Sequence, residues 1–300
     1  MQRNIIYIIN PISGTRTKKD LQLFIEKRTT AAKIPFQVFP SVASGDYSFL
    51  QPIIKEQNVT DVVIAGGDGT VSQVVSSLME SNVNFGIIPC GSGNGLAYAA
   101  KIPKQSAKAL EIIFNGKAVA TDGFYVNEQF ACMLCGLGFD AKVAHDFAEQ
   151  PKRGLATYVK QVIRNFFTAK PYFFEISVGN RSFTTDAYFI SIANSNQFGN
   201  NFTIAPKASL NDGLLDIVIV TDQSKLSVLM QTLKQVRGKN KLEQDAISSK
   251  KKGVIYFQTD SLFIANHSQA PLHIDGDPSE SFSSLSIKIN KRCFRLLQPH

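Results

Sequence analysis

The chain has 300 residues, 44% of them hydrophobic and 19% charged, enough for one large or two modest domains that each bury a core. That apolar content excludes wholesale disorder, and 20 Gly with 12 Pro exclude a low-complexity or collagen-like chain. The net charge of +8 is uneven: residues 1–150 balance, and the whole excess lies in residues 151–300.

Ile5–Ile9 is a continuous apolar run stopped by Asn10-Pro11, the pattern of a buried parallel strand and too short for a signal-peptide core. Gln37–Phe39, Val62–Ala65 and Phe85–Ile88 read as further strands. Val71, Val74, Val75, Leu78 and Met79 recur at helical spacing with one apolar face. Strands alternating with helices predict a parallel sheet covered on both sides.

From about residue 124 the texture changes. Short β-rich runs follow each other at Phe124–Val126, Phe130–Leu134, Tyr172–Val178, Phe183–Ala193, Leu215–Val220, Val254–Thr259, Leu262–Ile264 and Leu285–Ile289. Gly179-Asn180 reads as a two-residue hairpin turn. Helices over Leu155–Phe167 and Lys225–Arg237 interrupt the strands. The expected architecture is a Rossmann-like parallel α/β domain over residues 1–122, then an antiparallel β-sandwich over residues 123–290. A segment of about residues 291–300 is expected to pack back on the first domain.

No run approaches the roughly 20 apolar residues of a membrane-spanning helix, so a soluble, cytoplasmic protein is expected. Four cysteines make no disulfide framework, and the lone Cys132-x-x-Cys135 reads as two buried thiols. The basic excess clusters at Lys152-Arg153, Lys160 with Arg164, Lys234, Arg237, Lys239, Lys241 and Lys250–Lys252. A solvated face and an attraction to acidic lipid headgroups both remain open. Nucleic acid is not expected, because there is no zinc-finger or RNA-binding aromatic signature and no Trp.

Three glycine-rich loops each follow a predicted strand: Asn10-Pro-Ile-Ser-Gly14, Gly66-Gly-Asp-Gly-Thr70 and Gly91-Ser-Gly-Asn-Gly95. In a parallel sheet such loops converge at the carboxyl ends of the strands, where ligands bind. Glycines let backbone approach phosphate oxygens, and the helix beginning near Val71 adds its positive end. None of the loops matches the Walker or dinucleotide glycine patterns.

These segments resemble the catalytic domain of the diacylglycerol kinase and sphingosine kinase family. Gly136-Leu-Gly-Phe-Asp140, Asn211-Asp-Gly-Leu-Leu-Asp216 and Ile274-Asp-Gly-Asp277 follow in the family's order, so the resemblance runs from residue 4 to about 280. It implies a first domain that binds Mg-ATP and a second that serves a lipid alcohol. Gly66, Gly67, Asp68, Gly69 and Thr70 would cradle the nucleotide phosphates with Asn10, and Asp68 would act on the catalytic magnesium. Ser41 and Ser92 match family positions that contact ATP.

Asp212, with the main-chain carbonyls of Ser209 and Leu214, matches a structural Mg2+ site of oxygen ligands suited to a hard cation; the rival reading is an ordinary turn. Asp277 stands where the family carries a glutamate general base, one methylene shorter, and Asp68 is the alternative base. Asp140 and Lys160 are candidate substrate contacts, and Arg16 a candidate phosphate contact. The third loop is closer to the sphingosine and ceramide kinase pattern than to the bacterial diacylglycerol kinase one, which leaves the lipid open.

The expected function is therefore an ATP-dependent lipid kinase touching anionic membrane surfaces reversibly, with a homodimer left open. The alternatives are an NAD kinase and a nucleotide- or lipid-binding regulator without catalysis.

Overall fold

The computed structural model describes residues 3–13, 18–139, 141–142, 169–199, 202–203, 205, 207–221 and 253–300. The chain divides into two compact units, Met1–Thr121 with Arg292–His300, and Asp122–Lys291.

The first unit alternates strand and helix: β1 (Ile5–Ile9), α1 (Lys18–Ala31), β2 (Phe36–Pro40), α2 (Leu50–Glu56), β3 (Asp61–Gly66), α3 (Asp68–Leu78), β4 (Asn84–Pro89), α4 (Gly95–Ala99) and α5 (Ser106–Asn115). A single 3-10 turn, Met79–Ser81, ends α3. The sheet order is β2-β1-β3-β4, and all these pairs are parallel. Every residue of β1 and β3 is buried, which is what apolar runs in a sheet covered on both faces produce. On α3 the buried residues Val71, Val74, Val75 and Leu78 form the expected stripe, and Met79 falls in the 3-10 turn, half-buried.

The second unit is built from the end of β5 (Lys117–Val126), then β6 (Gln129–Ala131), β7 (Leu134–Gly138), β8 (Tyr172–Val178), β9 (Arg181–Ala193), β10 (Gln197–Gly199), β11 (Phe202–Thr203), β12 (Leu215–Thr221), β13 (Val254–Thr259), β14 (Ser261–Asn266), β15 (Leu272–Ile274), β16 (Asp277–Ser279) and most of β17 (Ser284–Gln298). All pairings recorded within it are antiparallel. The first half of β9 pairs with β8, and its second half lies between β7 and β12, so one long strand serves both layers of the sandwich. Alternate residues of each strand, such as Leu215, Ile217 and Ile219 or Phe174 and Ile176, point into one shared core. Gly179, at φ 56, turns β8 into β9 as the Gly-Asn pair predicts.

The end of β17 returns to the first unit, where Leu296 lies parallel to Phe85 and Phe294 meets the Phe85 ring edge-on. The predicted strand Phe130–Leu134 is in fact two strands, β6 and β7, with Cys132 and Met133 in a bend between them. Cys132 and Cys135 are buried and not joined in a disulfide. The expected helices Leu155–Phe167 and Lys225–Arg237 lie outside the described residues.

A buried polar contact in the first core gives a pH test. The Tyr7 hydroxyl lies 2.8 Å from Thr29 Oγ1, and Thr29 donates its own hydrogen to the Ile25 carbonyl, so Tyr7 is the donor. Burial, opposed by this bond, pushes the Tyr7 hydroxyl from 10.0 up to about 12. The unfolded chain ionises first, so this contribution to stability is complete below pH 10 and lost as pH climbs towards about 12. Tyr7→Phe should cost about 1 kcal/mol near neutral pH and flatten part of the alkaline fall in the urea midpoint. An alkaline fall identical to wild type would contradict this assignment.

Candidate functional site

The parallel registers align the strand ends of the first unit. Ile9 lies opposite Pro40 and Ala65, and Gly66 opposite Pro89, so the chain leaves the sheet at Ser41, Asn10, Gly67 and Cys90 in one row. Backbone bonds continue the ladder one step further: Ser41 N–H to the Ile9 carbonyl at 3.0 Å, Asn10 N–H to Ala65 at 2.9 Å and Cys90 N–H to Gly66 at 2.8 Å. The three glycine-rich loops therefore share the carboxyl edge, as parallel topology requires.

Side chains then fix the loops. Asn10 donates from Nδ2 to Thr70 Oγ1 at 2.8 Å and accepts the Ile12 N–H on Oδ1 at 3.0 Å, tying the first loop to the first turn of α3. A Cβ on Gly91 would stand 2.6 Å from Gly67 Cα, so the second and third loops touch backbone to backbone. Asn94, buried and in the left-handed region at φ 56, closes a ring on Gly91: its Oδ1 accepts the Gly91 N–H and its Nδ2 donates to the Gly91 carbonyl, both at 2.8 Å. This loop is held from inside, leaving Ser92 exposed at its tip.

Gly67 occupies the N-cap of α3 and supplies no capping side chain, while Asp68 stands in the first turn with Gly69 and Thr70 behind it. The N–H groups of a first turn have no acceptor within the helix, and the helix dipole makes that end attractive to anions. Ser41, half-buried after β2, borders the same row and bonds to the Tyr47 hydroxyl.

The second unit carries the other candidates. Asp212 is exposed on a turn and accepts the Leu214 N–H on Oδ1 at 3.1 Å. Ser209 sits on the same turn, with its hydroxyl bonded to Asn211. Buried Asp122 accepts the Gly213 N–H at 2.7 Å, and Gly213 adopts φ 73, a conformation that favours glycine. Burial first, and then the Asp122 carboxylate, push the Asp212 carboxyl above the usual carboxylate range. Asp216, also buried, is pushed up by burial against hydrogen bonds from Tyr256 and Gln258, and Asp212 adds to the shift. Asp212 thus feels Asp122 and acts in turn on Asp216, a local excess of negative charge that a hard cation would relieve. Among the described residues no three His, Cys, Asp or Glu side chains are grouped for a metal, so a cation at this turn would depend on carbonyl oxygens beside Asp212.

Asp277 opens β16 and is exposed, while Asp275 is buried. Asp140, Lys160, Arg16 and the basic clusters from Lys152 to Lys252 lie outside the described residues. Asp122 and the loop-locking role of Asn94 were not anticipated. The available signal for Asn94 was an asparagine directly before a glycine-led helix, a favoured place for left-handed backbone.

Most of the chain is similar to known protein domains. Residues 4–126 match the model described as the diacylglycerol kinase catalytic domain, and residues 134–294 match the YegS C-terminal NAD kinase beta sandwich-like domain. "Probable lipid kinase YegS" from Escherichia coli is 33% identical over 198 residues, covering 63% of this chain and 66% of that protein. "Probable lipid kinase YegS-like" from Klebsiella pneumoniae is 34% identical over 182 residues, covering 59% and 61%. The matches thus span somewhat less than two thirds of these relatives. A crystal structure of a diacylglycerol kinase from Bacillus anthracis strain Sterne shares the fold, with a TM-score of 0.74 at 19% identity over 99% of this chain and 97% of that one. The chain belongs to the diacylglycerol kinase catalytic-domain family in its YegS-type form, a parallel α/β unit followed by a β-sandwich.

Proposed function

We propose that the protein is an ATP-dependent lipid kinase that moves the γ-phosphate of Mg-ATP to the hydroxyl of a lipid alcohol, diacylglycerol-like or a sphingoid base. The observation that supports it most is the bare backbone where Gly67 meets Gly91, at the mouth of α3 and beside the Asp68 carboxylate. Phosphoryl transfer asks mainly for positioning and for neutralisation of charge spread over phosphate oxygens. Glycine backbone and the positive end of a helix meet the first demand, with Asn10, Ser41, Thr70 and Ser92 bordering the nucleotide.

Magnesium, when bound, would neutralise phosphate charge. Asp68 would hold that ion, and Asp212 with the Ser209 and Leu214 carbonyls would hold a structural one. Asp277 would take the proton of the acceptor hydroxyl, with Asp68 as the other candidate.

A second reading, phosphorylation of NAD, draws support from the NAD kinase-like character of the model matched by residues 134–294. Radiolabelled ATP, incubated with the purified chain and either a lipid panel or NAD, separates the readings on thin-layer chromatography. Label in a lipid phosphate supports the first, label in NADP the second, and label in neither defeats both. Presenting the lipids in neutral and anionic vesicles at low and high salt also reads whether the basic second half aids surface contact.

Three substitutions refine the test. Asp68→Ala should abolish transfer with little change in melting temperature, because the side chain stands in a loop-proximal first turn; near-normal turnover would exclude its metal role. Gly91→Ala should destabilise by about 1–3 kcal/mol through overpacking against Gly67, seen as a lower denaturant midpoint. Wild-type protein should melt higher in magnesium than in EDTA, and Asp212→Ala should lose that difference. A magnesium-dependent increment that survives in Asp212→Ala would place the ion elsewhere.

A further inference from the structure

We propose that Asp275 is a positioning residue: its buried carboxylate ties the hairpin that carries Asp277 to the bend between β6 and β7, and so fixes where the Asp277 carboxylate stands. The role follows from the hydrogen bonds of one side chain, and its catalytic meaning rests on reading Asp277 as the proton acceptor.

Ile274 and Asp277 are paired residues of β15 and β16, so only Asp275 and Gly276 form the turn. Both are left-handed, with φ 50 and φ 88, the backbone of a tight hairpin whose twist matches its strands. Asparagine, aspartate and glycine are the residues that tolerate this conformation, which explains the Asp-Gly pair without any chemistry.

The Asp275 side chain does more than tolerate the turn. Oδ2 accepts the Cys132 N–H at 2.8 Å, and Oδ1 accepts those of Met133 and Leu134 at 2.9 and 3.0 Å. Its own N–H returns to the Leu134 carbonyl at 2.8 Å. On the other side of the bend, Asn194 Nδ2 reaches the Cys132 carbonyl at 2.9 Å, and the N–H groups of Asn194 and Ser195 reach the Met133 carbonyl at 2.8 and 3.0 Å. A two-residue break in the sheet is thus satisfied from both sides, and the hairpin is one of its two anchors. Charge-assisted bonds to a buried carboxylate are short and directional, so the turn has little freedom to rotate. Asp277 stands two residues beyond this anchor and is itself exposed.

Asparagine at position 275 keeps the shape but turns one acceptor into a donor facing an N–H. With a short-chain diacylglycerol as probe, Asp275→Asn should lower kcat about tenfold to hundredfold and leave the KM for ATP unchanged. Hydrogen exchange should quicken in residues 272–279 and 132–134, with only a modest fall in melting temperature. Asp277→Asn should lower kcat by about 10²-fold or more, and adding Asp275→Asn to it should slow the enzyme no further.

Wild-type turnover in Asp277→Asn would overturn the assignment of the proton acceptor. The positioning role fails separately if Asp275→Asn leaves hairpin exchange and kcat at wild-type values, or if the two losses multiply. Should Asp275→Asn not fold, Asp275→Ser retains one acceptor; loss of folding in both would show that Asp275 holds the whole unit rather than one hairpin.

Discussion

Two backbones run side by side at van der Waals distance only where neither carries a Cβ. Gly67 and Gly91 meet in this way, and most of the geometry at the carboxyl edge of the first unit follows from it. The contact brings the N-terminus of α3 against the third loop, and Asn94 holds that loop in place by bonding both polar groups of Gly91. Asn10 does the equivalent for the first loop through Thr70. Loops that would otherwise be mobile are tied to a fully buried parallel sheet, so their N–H groups keep fixed directions without bulky side chains in front of them.

The second unit solves a different problem. A β-sandwich built from short strands must break its ladders often, and each break leaves backbone polar groups that cannot be buried unpaired. Here buried side chains supply the missing partners. Asp275 receives three N–H groups of the β6–β7 bend, Asn194 reaches the Asp122 and Cys132 carbonyls, and Asp122 receives the Gly213 N–H. These residues lie far apart in sequence, so the polar network also fixes the mutual position of the Asp212 turn, the bend and the Asp277 hairpin. A buried network of this kind is valuable when complete and costly when one member is lost, which is why conservative substitutions at Asp275 are informative.

Much of the fold was legible because burial leaves a periodic trace. The ends of β1, β8 and β13 coincide with apolar runs visible in the chain, and α3 shows its stripe. Helix α1 left little trace because, among its described side chains, only Ile25 and Thr29 are fully buried. The run Phe130–Leu134 misled for the opposite reason. It is apolar throughout, but the N–H groups of its last three residues pair with a carboxylate more than 140 residues away, which no local pattern reveals. The Ile274–Asp277 segment stood out as a chemical motif, while its first aspartate proves to be committed to backbone hydrogen bonds.

The sequence by itself determined the order of elements, the change from helix-strand alternation to β-rich runs, the three glycine loops and the family they resemble. Those features are set by side-chain period and by local backbone tolerance, and both are written residue by residue. Only the tertiary structure decided that Gly67 and Gly91 touch, that Asn94 faces inward and Ser92 outward, and that of two aspartates two residues apart one is buried and the other exposed. The glycine contact and the burial of Asp275 depend on which distant backbone lies within reach, a distance that exists only once strands far apart in the chain have paired, whereas Asn94 turns inward through its local ring on Gly91.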